Sequence, residues 1–67
     1  MNAWMRRLFA AGQVNQGNVV RRNVADTHRN TTVRELKREV KRRGFHLVRT
    51  GTQYIVVCNK GVLRVLC

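Results

Sequence analysis

Acidic side chains are nearly absent from this chain, with three Asp and Glu among 67 residues. Paired carboxylates for general acid–base chemistry therefore have few places to come from, and a lone histidine without an oriented carboxylate is a poor proton-transfer group. Cysteine is as scarce. Cys58 and Cys67 are too few for a disulfide framework, and a bridge between them would lie inside one hairpin. With His28 and His46 they match metal ligands by type, yet no pair has ligand spacing such as C-x₂-C or H-x₃-H. Neither a metal nor another cofactor is expected. Apolar runs are only a few residues long, too short to span a bilayer, and no charged-then-apolar leader opens the chain. The expectation is a reducing, cytoplasmic setting with no membrane partner. A chain this short buries only about 60% of its unfolded surface, so a thin core with a deep catalytic cleft beside it is excluded. A non-enzymatic role is expected.

What is abundant is positive charge. Fourteen Lys and Arg give a formal net charge of +11. Eleven of the fourteen are arginine, whose planar fork matches phosphate oxygens in pairs where lysine offers a point charge. Self-repulsion on this scale opposes the compact state, and an anionic partner offsets it. Nucleic acid leads the candidates, followed by an acidic protein surface.

The pattern along the chain predicts an α+β fold in one small domain: a helix followed by a three-stranded antiparallel meander, with an additional N-terminal amphipathic helix. Residues 2–12 place Trp4, Met5, Leu8, Phe9 and Ala11 on one arc, with Asn2 as cap and Gly12 as stop. Residues 13–30 are polar and Asn/Arg-rich, and read as a basic linker, a mobile arm, or a short helix near 18–27. From residue 31 the pattern sharpens. Thr32-Val33-Arg34-Glu35 is a capping box, Val33, Leu36 and Val40 form a seam at i, i+3, i+7, and Gly44 is the left-handed stop. A helix over 32–43 follows. Phe45–Arg49, Tyr54–Asn59 and Val62–Leu66 then read as strands, joined by turns at 50–53 and 59–61. Phe45 and Leu47 are expected to point toward the helix.

Six of the ten residues from 34 to 43 are basic. Arg34, Arg38, Lys41 and Arg42 share one arc opposite the apolar seam. Glu35 and Glu39 lie at its border, and Lys37 and Arg43 flank the seam with their stems along it. Two acids cannot neutralise six bases, so this stripe is the expected phosphate contact, with Arg21, Arg22 and Arg29 as a supporting arm.

The run Arg42-Arg43-Gly44-Phe45-His46-Leu47-Val48-Arg49, a basic helix end, a Gly-Phe step and a strand, leads to a glycine turn and further strands. In this, residues 36–66 resemble the HicA family of small toxin ribonucleases, which have a fold like that of double-stranded-RNA-binding domains. The resemblance implies a helix-then-meander fold and RNA as ligand. The family's catalytic histidine follows the turn glycine. Here the turn reads Gly51-Thr52-Gln53-Tyr54 without one, which argues against ribonuclease activity. The family's following helix has no counterpart after Leu66, leaving the 2–12 helix or a second copy of the chain, as a homodimer, to cover the sheet. A short Arg-rich chain with such a core is also similar to accessory proteins of bacteriophages and mobile elements.

Two functions stand side by side on this reading. One is a non-catalytic nucleic-acid-binding module working through the stripe. The other is a protein–protein inhibitor or regulator docking on an acidic host surface, with Trp4, Phe9 and Tyr54 as buried anchors and arginines around them.

Overall fold

Asn2 starts the first helix as expected. In the computed structural model its Oδ1 accepts the Met5 amide at 2.8 Å, and α1 runs Ala3–Phe9. The structure describes the backbone of residues 1–67 and every side chain but those of Gln13 and Asn15. Met5, Leu8 and Phe9, spaced i, i+3, i+4, are buried, and Trp4 and Ala11 pack at the margin of the same cluster. The helix stops at Ala10 rather than Gly12, because Gly12 opens a short second helix, α2 (Gly12–Asn15).

Residues 13–30 are neither arm nor linker. Val19–Asn23 form strand β1 and Val24–Asn30 form helix α3. Asn23 serves both, ending the strand and accepting the Asp26 amide at 3.1 Å as helix cap. The helix anticipated near 18–27 begins only at Val24, because Val19 to Asn23 are taken into the sheet.

Helix α4 (Val33–Arg42) and its stop form as the sequence dictates. Thr32 Oγ1 accepts the Glu35 amide at 3.1 Å. Only half of the capping box closes, since the Glu35 carboxylate takes the Thr31 hydroxyl at 3.1 Å. At the other end Gly44 adopts φ +75°, and the amides of Gly44 and Phe45 return to the carbonyls of Lys41 and Val40 at 3.0 Å each. That is a Schellman closure, satisfying two end carbonyls. Strands β2 (His46–Arg49) and β3 (Gln53–Val57) make the anticipated hairpin, with Thr50 Oγ1 accepting the Gln53 amide in the turn.

The sheet is three-stranded and antiparallel, but its third strand comes from ahead of α4. The order is β1-β3-β2, with Val20 opposite Val56 and Leu47 opposite Val56 on the other side. Val62–Leu66 form no strand. Both edges of β3 are already occupied, so the position a third hairpin strand would take is filled by β1. Val62, Val65 and Leu66 remain 84%, 83% and 90% exposed. The inward side chains Val20, Tyr54, Val56 and Leu47 meet α1 and α4, so α1 supplies the cover that a further helix would have given. Among the described residues, no buried side-chain nitrogen or oxygen lacks a hydrogen-bond partner. No described helix is long and apolar enough to cross a membrane.

Candidate functional site

Helix α4 is fixed on its inner side by Leu36 and Val40, both buried, which fixes the direction of every charge it carries. Arg34, Arg38, Lys41 and Arg42 are all exposed, as the wheel predicts. They are not equivalent. Arg42 is committed to Glu39, with Nη2 and Nε each 2.8 Å from Oε2. Arg43 reaches the same carboxylate at 3.3 Å and lays its guanidinium 4.3 Å from the Phe9 ring centroid. The Arg42 hydrogen bond, with the nearby charges of Arg42 and Arg43, holds the Glu39 carboxyl below its ordinary value against the opposing effect of burial.

The two sides of α4 therefore differ in charge balance, one mixed and the other purely basic. On the side toward α1, Glu35 and Glu39 line a cleft of about 300 Å³ together with Arg38, Arg42 and Met5. Two carboxylates in its wall make that cleft a poor place for an anion. On the side toward β2, Lys37 and Lys41 line a cleft whose wall holds no acid. Among the described residues both ion pairs involve Glu39, so Arg34, Lys37, Arg38 and Lys41 have no carboxylate partner.

The supporting arm does not join this surface. Arg21 and Arg22 lie on β1, the edge strand farthest from β2, on which α4 packs. Alternation sends them to opposite faces, Arg21 outward and Arg22 half-buried with Nη1 donating to the Arg21 carbonyl at 2.7 Å. Arg29 is exposed on α3. Two of the three anticipated docking aromatics are also corrected. Phe9 and Tyr54 belong to the core, where α1 and the inner sheet face bury them, and only Trp4 keeps partial exposure. The Tyr54 hydroxyl is 2.7 Å from His28 Nε2. His46 Nε2 lies 2.6 Å from the Gly61 carbonyl oxygen, tying the start of β2 to the C-terminal segment.

Arg49 was not singled out by the sequence, although the signal existed. It stands two residues from inward-facing Leu47, so alternation puts it on the helix side of the sheet. There its guanidinium lies 5.6 Å from the Tyr54 ring centroid, and it shares a cleft with Lys37. Comparison with protein-family models, curated proteins and solved structures finds no match to this chain.

Proposed function

We propose that this protein is a non-catalytic nucleic-acid-binding module that contacts phosphates through the unpaired cations of α4. The observation carrying this reading is the excess of free positive charge on that helix: Arg34, Lys37, Arg38 and Lys41 lack acid partners, while both helix acids, with Arg38 and Arg42, line the cleft toward α1. Unpaired cations on a fixed scaffold release counterions when they meet phosphates, which favours nucleic acid over a neutral ligand. Arg42, held by Glu39, contributes less than its neighbours.

Binding of duplex RNA, single-stranded RNA and duplex DNA across an ionic-strength series tests the proposal. A steep linear fall of log affinity with log salt is expected. Failure of all three to bind at low salt overturns it and turns attention to an acidic protein surface. That reading keeps one observation in its favour, the exposed apolar Val62, Leu63, Val65 and Leu66, which replace Phe9 and Tyr54 as available anchors.

A further inference from the structure

Two clefts lie along the seam between α4 and β2. The first, about 270 Å³, is lined by Val33, Lys37, Leu47, Arg49 and Tyr54. The second, about 290 Å³, is lined by Lys37, Lys41, Phe45 and Leu47 among others, and ends against Leu63. They share Lys37 and Leu47, so they adjoin and together make a trough along the seam. Its cations are Lys37, Lys41 and Arg49, with His46 at the Leu63 end, and no acid lines it. Its floor is apolar, and Val33 stays 40% exposed beside it.

We infer that this trough holds a single strand of nucleic acid, an inference that rests on the nucleic-acid reading above and names the form of the ligand. A cationic rim over an apolar floor suits a strand whose phosphates and unpaired base faces are presented together. A duplex buries its base faces in its own stack and has no use for Val33 and Leu47. Arg49 adds a guanidinium plane, the kind of surface on which unstacked bases lie. Its guanidinium lies 5.6 Å from the Tyr54 ring centroid, on an exposed residue at the cleft wall. From Val33 to Lys41 the helix rises about 12 Å, room for about three to four stacked nucleotides at ~3.4 Å each. The tie from His46 to Gly61 sets Leu63 at one end and bounds the site there.

The test uses the full chain and short oligouridylate and oligothymidylate strands, with duplex RNA as competitor. The double variant Lys37→Gln/Arg49→Gln removes the rim charges and leaves polar side chains in their place. The charge-matched control Arg21→Gln/Arg29→Gln removes two exposed arginines away from the trough. Circular dichroism verifies that both fold. The rim variant is expected to lose about tenfold in single-strand affinity and about 0.7 in salt slope, the value for the one phosphate contact of Lys37, with the rest of the loss from the base that Arg49 holds. The control is expected to lose far less. Equal losses in the two variants, or displacement of the single strand by an equal concentration of duplex, overturn the inference while leaving nucleic-acid binding intact. No binding by the unmodified protein at low salt overturns the underlying function instead.

Discussion

The Tyr54 hydroxyl and His28 Nε2 meet at 2.7 Å, joining the middle strand of the sheet to helix α3 across 26 residues of sequence. Tyr54 is only 3% exposed, so its phenol needs a partner, and α3 supplies it. The rings are tilted at 56° with centroids 5.6 Å apart, a packed contact as well as a polar one. Tyr54→Phe keeps the ring and removes the bond. It is expected to cost about 1 kcal/mol in denaturant unfolding, the net worth of one neutral hydrogen bond. Tyr54→Ala is expected to cost several times that. A Tyr54→Phe protein as stable as the parent would mean that the bond contributes nothing in solution.

Leu36 and Val33 sit one turn apart on α4 and are expected to respond very unequally to truncation. Leu36 is 1% exposed against the sheet, and Leu→Ala at such a site costs about 2–5 kcal/mol. A 67-residue domain has a total stability of roughly 3–10 kcal/mol at typical per-residue values. Leu36→Ala should therefore leave a large unfolded fraction, seen by circular dichroism at room temperature. Val33→Ala, on the trough's open wall, should be nearly neutral in stability. Similar melting of the two variants would contradict the assigned seam.

These two positions also show what was legible in sequence. The cap at Thr32, the seam at Leu36 and Val40 and the glycine stop are local signals, and α4 with the following hairpin formed where they pointed. Strand β1 carries no such signal. Its inward side holds Val20 and an arginine, Arg22, so its alternation is incomplete, and pairing with β3 rather than its own composition makes it a strand. The pattern of Val62–Leu66 is the better strand by eye, yet β1 holds the edge it would have needed. Helical periodicity likewise found the basic stripe. Which of its cations are free required knowing that the Glu39 side faces α1 and the Lys37 side faces β2.

The two thiols should be chemically distinct. Cys58 is buried beside the end of β3, and burial pushes its thiol up from the ordinary value, only partly countered by the charge of Arg43. Cys67 is exposed. Because the thiolate is the reactive form, one thiol per chain should react quickly with an aromatic disulfide reagent under native conditions, and the second only on unfolding. Cys67→Ser should remove the fast phase. Two equally fast thiols would mean that the strand end at Cys58 opens readily.

Glu39 couples stability to binding, in opposite directions. Its carboxyl is held low, first by the hydrogen bond from Arg42 and further by the charges of Arg42 and Arg43, with burial opposing. A carboxylate whose folded value lies below its unfolded one stabilises the fold above the unfolded value, and that contribution fades as pH falls through the folded value. Glu39→Gln should therefore be slightly less stable than the parent at neutral pH, and the difference should vanish in acid. The loss is small because Arg42 is largely exposed and solvent screens the pair. The same substitution releases Arg42 and removes a negative charge from α4. Nucleic-acid affinity should rise modestly through the lost negative charge, and the salt slope should steepen, by up to about 0.7 with a single strand, where the strand extends beyond the trough to Arg42. Binding unchanged by Glu39→Gln, in a protein whose acid-dependent stability difference is present, would place the nucleic acid wholly on the Lys37 side of the helix. A loss of affinity would contradict the reading of Glu39 as the residue that withholds Arg42 from the ligand.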